Sequence, residues 1–293
     1  LGTHRTCTLQ ETIDRVLEKK EVFGLTRLSD ITHLDILRIP NYAAICPKIN
    51  YPARNSCISV FSGKGITRLH ATASALMEAV ERYSCLMHGR HLIYDSYSNL
   101  NRKFNVHHPG SFVFPNSYEY KNDQKIEWIQ ALSLFHNDIV LVPAYMVFTP
   151  YIPTEPKLAG SFSTTNGLAS GNTIEEAALH AIYEAIERDA EMIAEHSGKM
   201  KSVDLDSVNS PSVQKLVTKF KESNIQLHVK DITQDISVTT FLAICVDWDL
   251  RQSRYINGGK GTHLDPEVAL IRAITECSQS RVTAIAGIRE DMM

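Results

Sequence analysis

Apolar positions recur along this chain at two periods, one helical and one alternating. Near the N-terminus, Thr8 and Glu11 stand at capping-box spacing ahead of an amphipathic run, which predicts a helix through about Lys19. Later stretches are short and rich in β-branched and aromatic residues. They predict strands at "SCISVF" (56–61), "WIQALSLF" (128–135), "IVLVPAYMVF" (139–148), "IQLHV" (225–229) and "VTTFLAICV" (238–246). The polar segment from Lys199 to Ser212 predicts a loop leading to a surface helix from about Ser212 to Glu222. Helices and strands mixed in this way predict an α/β or α+β fold. No low-complexity tract or long linker interrupts them, so a single domain across residues 1–293 is expected.

A further pattern emerges when the chain is compared with itself. "GKGITRLHATASALMEAVERYS" from Gly63, "SGNTIEEAALHAIYEAIERDA" from Ser170 and "GKGTHLDPEVALIRAITECSQSR" from Gly259 each read as a glycine-bearing loop entering a helix. With Glu78, Glu184 and Glu276 as origin, an N-cap candidate lies eleven residues earlier in each: Thr67, Thr173 and Asp265, the last followed by Pro266 at the first helical position. Four residues before the glutamate are Ser74, His180 and Arg272, and three after it are Glu81, Glu187 and Gln279. Steps of three and four keep these side chains on one stripe. Arg82, Arg188 and Arg281 follow, the third displaced by one residue. A single Glu-x-x-Glu-Arg on a helix reads equally well as a solvated face. Repetition in one register, beside Ala71, Ala75 and Ala79 and beside Ala177, Ala181 and Ala185, predicts helices in close approach instead.

Carboxylates gathered in one pocket repel one another and resist ionisation unless cations sit among them. Hard divalent ions suit oxygen ligands, and Mg²⁺ commonly brings substrate phosphates with it. Guanidinium groups match phosphate oxygens, and glycine loops at helix N-termini offer backbone N–H donors. The pattern therefore predicts a Mg²⁺-nucleotide site assembled from three helices. No P-loop and no kinase H-R-D or D-F-G triplet is present, so the site is of another type. The G-K-G lysines, Lys64 and Lys260, read as solvated on their own.

Composition narrows the class. The chain has 293 residues, 43% of them hydrophobic and 22% charged, with a net charge of -3, which gives no reason to expect a nucleic-acid partner. The run from Ile139 to Phe148 is too short and too proline-broken to span a bilayer, and "LGTHRTCTLQETIDR" lacks signal-peptide regions, so no membrane partner and a cytoplasmic location are expected. Cysteines 7, 46, 57, 85, 245 and 277 form no C-x-x-C pair and read as reduced thiols. His88, His91, His107 and His108 read as packed or surface histidines, and no transition-metal site is expected.

At "GTHRTCTLQETIDRV", "SGKGITRLHATASALMEAVERYS", "NGLASGNTIEEAALHAIYEAIERD" and "GGKGTHLDPEVALIRAITECSQSR" the chain resembles the YcaO family of ATP-dependent peptide-modifying enzymes, over about residues 2 to 290. The resemblance implies an α/β domain, usually homodimeric, holding ATP and more than one Mg²⁺. Carried across by motif, it implies Glu78, Glu81, Glu176, Glu184, Glu187 and Glu276 at the metal. It likewise implies Arg5, Thr12, Ser74, Arg82, Asn172, Arg188, Gln279 and Arg281 at the nucleotide. Local readings stand beside four of these: Arg5 as a tail charge, Thr12 as a helix-surface residue, Asn172 as a turn residue, and Glu176 as the capping-box partner of Thr173.

The family's chemistry needs no protein nucleophile, and none is assigned here. A nucleophile adds to a backbone amide, and ATP removes the amide oxygen as phosphate. A neighbouring Cys, Ser or Thr of the substrate gives an azoline; external sulfide gives a thioamide. The chain resembles stand-alone members of methanogenic archaea linked with thioamidation of a glycine in methyl-coenzyme M reductase, often with a TfuA partner. It ends at "GIREDMM", where many relatives continue, so a missing C-terminal extension is also expected. Thioamidation is the first expectation and cyclodehydration the alternative. A non-catalytic ATP-binding scaffold for peptide recognition is the alternative of another class, opposed by the filled acidic motifs.

Overall fold

The computed structural model describes residues 4–47, 60–112, 119–151, 164–248 and 256–287. These group into two compact units, Leu1–Glu81 with Asn166–Met293, and Arg82–Thr165.

The first unit opens with helix α1 (Leu9–Glu18), whose capping box is formed as expected: Glu11 N–H donates to Thr8 Oγ1, and Thr8 N–H donates back to the Glu11 carboxylate at 2.8 Å. Strands β1 (Arg27–Asp30), β2 (Asn41–Ile45) and β3 (Val60–Lys64) form an antiparallel sheet in that order. The predicted strand at 56–61 thus corresponds to β3, with residues 56–59 outside the described residues. Helix α2 (Arg68–Ser84) follows, and His70 N–H donates to Thr67 Oγ1, the expected cap.

Helix α4 (Ile174–Ser197) is capped by Thr173, and α5 (Pro211–Glu222) by Ser210. The second sheet of this unit runs β10-β9-β8-β7, all antiparallel: β7 is Lys201–Ser202, β8 Gln226–Asp231, β9 Thr240–Val246 and β10 Ile256–Thr262. Helix α6 (Pro266–Ala286) is capped by Asp265, with Pro266 in the first turn. Alternation along β9 sorts its faces. Ala243 and Cys245 join Ala273 and Cys277 of α6 and Val217 and Phe220 of α5 in one core, while Leu242 packs with Ala190 and Ala194 of α4. α6 also packs on β3, and its Val282 shares a cluster with Ile31 and Ala43. A helix packed on more than one side needs little amphipathicity.

The glycine tracts correct the sequence reading. "SGK" of the first tract and "NGGKGT" lie in strands β3 and β10 rather than in phosphate loops. Their glycines permit strands to cross helices: a methyl group on Gly63 would overlap the backbone of Ala71 and Ala75, and one on Gly261 that of Ala269 and Ala273. Those alanines stand seven and three residues before Glu78 and Glu276, so Gly63 corresponds to Gly261 and not, as the tripeptides suggest, to Gly259. Ala71, Ala75 and Ala79 are buried as expected for close approach. On α4 the expectation fails. Ala185 is exposed and Ala177 and Ala181 are half-buried; the buried alanines are Ala190 and Ala194, further along the helix.

The second unit contains β4 (Ile93–Ser96), α3 (Tyr97–Leu100), β5 (Lys125–Ser133) and β6 (Asp138–Pro143), with strand order β4-β5-β6. Trp128, Ile126, Leu141, Tyr145 and Phe148 form its core. The strand expected to reach Phe148 ends at Pro143, which has no N–H for the ladder, and turns into a short 3₁₀ segment, Ala144–Met146. Among the described residues no helix is long and apolar enough to cross a membrane.

Candidate nucleotide and metal site

Two groups of polar side chains lie along α4. The first is at its N-terminus, where Glu176 is 8% exposed and both carboxylate oxygens accept hydrogen bonds. Oε1 accepts from Thr6 N–H; Oε2 accepts from Asn172 N–H at 2.9 Å and Asn172 Nδ2 at 3.2 Å, and Arg5 Nη1 lies 3.5 Å away. Burial raises this carboxyl, but the Thr6 and Asn172 donors outweigh it and hold the pKa down at about 2. Thr12 Oγ1 donates to Asn172 Oδ1 at 3.0 Å. Four sequence-predicted residues, Arg5, Thr12, Asn172 and Glu176, are thus joined in one network. The capping-box reading of Glu176 gives way, because its carboxylate serves residues beyond the cap; only its N–H bonds Thr173.

The second group lies about one to four turns further along α4 and on α6. Glu187 is 5% exposed, and its Oε2 is buried with no hydrogen-bond partner. Burial, then the neighbouring Glu276 carboxylate, pushes its pKa up to about 7, against Arg272, Lys64 and Arg188. Glu276 is also raised by burial, yet Lys64, the Lys260 N–H and Arg272 bring it below the usual carboxylate range. Lys64 Nζ donates to Glu276 Oε2, while the backbone N–H of Lys260 donates to Oε1 at 3.3 Å. Lys260 Nζ reaches Glu191, at 2.7 and 2.6 Å from its two oxygens. Arg188 lies 3.5 Å from Glu184 and 3.8 Å from Glu191, and Glu184 Oε2 accepts from Gly167 N–H at 3.2 Å. Arg272 Nη2 donates to His180 Nε2 at 3.2 Å. Burial first, then Arg272 and Arg5, lower the His180 pKa to about 3, so this imidazole is neutral at physiological pH.

Lys64 and Lys260 are therefore not solvated; their side chains are 21% and 15% exposed and ion-paired. They, Arg272 and Glu191 were missed as members of the group. Arg272 did stand in the repeated register, and Glu191 continues the 184, 187 stripe by one further step of four; nothing in the spacing marked the lysines. Gln279 is turned to β3, where Nε2 donates to Ser62 O. Ser74, Glu78 and Glu81 are half-buried on α2, which Ser170 Oγ ties to the loop before α4 through Met77 O at 2.9 Å. Arg82 is in the last turn of α2, within the second unit.

Arg281 departs from the group. It is 3% exposed, with Nε 3.0 Å from Asp35 and Nη2 2.8 Å from Asp247. Five residues beyond Glu276 on α6, it projects from a different face of the helix.

The chemistry of the donors, carboxylate oxygens, suits a hard divalent cation. Glu187 presents a buried, unpartnered oxygen to a region where a second carboxylate opposes its ionisation. Among the described residues no three acidic, histidine or cysteine side chains are drawn close enough to ligate one ion. Ammonium and guanidinium groups stand among the carboxylates instead.

A family model described as YcaO cyclodehydratase, ATP- and Mg²⁺-binding, matches residues 62–293. The chain belongs to the YcaO family. An uncharacterized protein of Methanothermobacter thermautotrophicus is 40% identical over 96% of this YcaO chain and 71% of its own length. An uncharacterized protein in the tfuA 3′ region of Rhizobium leguminosarum bv. trifolii is 31% identical over 98% of this chain and 69% of its own. Among solved structures, a heterocyclase in complex with substrate and cofactor matches with a TM-score of 0.80 and 26% identity, over 94% of this chain. The YcaO chain spans 40% of that heterocyclase's length. These matches carry the mixed α/β fold and the family's ATP and Mg²⁺, and place the chain among ATP-dependent peptide-modifying enzymes.

Proposed function

We propose that this YcaO protein uses ATP and Mg²⁺ to activate a backbone amide of a peptide or protein, and that external sulfide converts that amide to a thioamide. A glycine of methyl-coenzyme M reductase is the proposed target, and a TfuA-type protein the proposed partner. The observation that carries the metal and nucleotide half is Glu187, a buried carboxyl with one oxygen that meets no donor, pushed up to about 7 by burial and the Glu276 carboxylate. The tfuA-region relative supports the partner and, through it, sulfide as nucleophile.

Sulfide addition to the carbonyl carbon gives a tetrahedral oxyanion. Its oxygen takes the γ-phosphoryl group, ADP leaves, and phosphate departs with the former amide oxygen as the sulfur gives up its proton to solvent and the C=S bond forms. Mg²⁺, when bound, neutralises triphosphate charge. The chain's own residues bind and orient. Glu78, Glu81, Glu184, Glu187 and Glu276 are the proposed metal ligands, and Ser74, Arg188, Gln279, Thr12, Arg5 and Asn172 the proposed nucleotide ligands. Glu176 is assigned a positioning role, since its four donors already hold Arg5 and Asn172 in place. Arg281 is assigned to anchoring α6 through Asp35 and Asp247.

The heterocyclase match and the family description favour a second reading, cyclodehydration, in which a substrate Cys, Ser or Thr is the nucleophile. Intact-mass analysis separates the two after incubation of a glycine-containing target peptide with the protein, Mg-ATP, sulfide and a TfuA-type partner. A gain equal to sulfur minus oxygen is expected. Loss of one water from a Cys- or Ser-containing peptide without sulfide would establish cyclodehydration instead, and ATP binding with no mass change on either peptide would leave only a binding scaffold.

A further inference from the structure

We propose that the Lys64 ammonium is the metal-free site's own cation, occupying the Glu276 oxygen that a divalent ion needs, so that metal uptake and the Lys64–Glu276 pair exclude one another. The inference rests on the reading that α4 and α6 hold Mg²⁺.

Both Glu276 oxygens are engaged, but by donors of different kinds. Oε1 accepts from the Lys260 backbone N–H, which β10 fixes in place; Oε2 accepts from the side chain of Lys64, a flexible stem that can leave. Lys260 Nζ is directed instead at both oxygens of Glu191. Glu187 keeps its unpartnered Oε2, so an ion shared between Glu187 and Glu276 has two oxygens to take, one free and one under Lys64. Lys64 bonds only one of two mutually repelling carboxylates; a divalent ion between them would bond both. The pair is largely enclosed, 21% and 25% exposed, whereas the sequence alone read Lys64 as solvated.

Direct competition is testable on the full chain with Mn²⁺, followed by the resonance of the free ion, with and without a non-hydrolysable ATP analogue. Lys64→Met is expected to take up Mn²⁺ without nucleotide at least about 10-fold more tightly than the wild type, since a competitor has been removed from the ligand itself. Its melting temperature without metal should fall and recover on Mn²⁺ addition. Lys260→Met removes the same charge from Glu191 and measures the effect of the local field alone; less than about 3-fold is expected from it. Equal gains in the two variants, or unchanged or weaker uptake by Lys64→Met, would overturn the proposal. Should Lys64→Met not fold, Lys64→Gln carries the same expectations. No uptake by the wild type even with nucleotide would instead overturn the metal-site reading, and this inference with it.

Discussion

Glu176 and Glu187 are the same residue on the same helix, both less than a tenth exposed, and they titrate in opposite directions. Glu176 meets the N–H groups of Thr6 and Asn172, the Asn172 amide and Arg5. Glu187 meets the field of Glu276, and one of its oxygens meets no donor. Burial raises the cost of a bare charge in both cases; the supply of donors and the charge of the neighbour differ. The saturated carboxylate acts as a structural clamp, tying the N-terminus to the turn before α4. The unsaturated one stores an unfavourable interaction that folding alone does not relieve, which is what a ligand site requires.

The largest effect should come from removing the clamp. Glu176→Ala removes the shared acceptor of Thr6, Asn172 and Arg5 and frees the segment around Arg5, and is expected to destabilise the protein by about 3 kcal/mol in denaturant unfolding. The pH dependence carries the same sign. The folded pKa, about 2, lies below the ordinary 4.5, so Glu176 contributes stability that is complete above pH 4.5 and lost as the pH falls toward 2. A Glu176→Ala protein as stable as the wild type would erase the distinction between the two carboxylates.

Glu187→Gln should do the reverse to the two observables. Mg²⁺-ATP affinity in calorimetry is expected to fall roughly 100-fold, as for loss of a metal ligand, while metal-free stability at neutral pH rises. Here the folded pKa, about 7, lies above 4.5: the native state holds the proton longer than the unfolded chain, so metal-free stability falls as the pH rises from 4.5 to 7 and then levels off. The wild type should lose on the order of 2 kcal/mol over that interval, and the variant should lose that slope. Unchanged nucleotide affinity in the folded variant would defeat the site proposed on α4 and α6.

The smallest change sharpens the comparison by touching neither carboxylate. Thr173→Ala deletes the cap that accepts from Glu176 N–H and should cost about 1 kcal/mol in thermal unfolding while leaving Mg²⁺-ATP affinity unaltered. A matching loss of affinity would mean that the first turn of α4 is coupled to the Glu187 end.

Much of this arrangement was legible in the chain because it is local. Caps at Thr67, Thr173 and Asp265 bond as their chemistry dictates, and β5, β8 and β9 fall within a few residues of their apolar runs. β10, and the Ser62–Lys64 end of β3, were hidden because glycine carries no strand propensity; their pairing is set by neighbours and by the narrow space over α2 and α6. Arg281 departs from the group because its displacement by one position, visible in the chain, turns the side chain through about 100° of helix, a consequence that reading the repeat by residue type does not weigh.

The amino-acid sequence by itself determined the three acidic helices, their starting points and the register of Glu78, Glu184 and Glu276, because periodicity and capping act over four residues or fewer. Tertiary structure alone decided which carboxylates find donors. Thr6 reaches Glu176 across 170 positions, and Lys64 reaches Glu276 across 212. A pKa depends on the field and donors assembled around the group, and partners so distant in the chain leave no mark in its spacing.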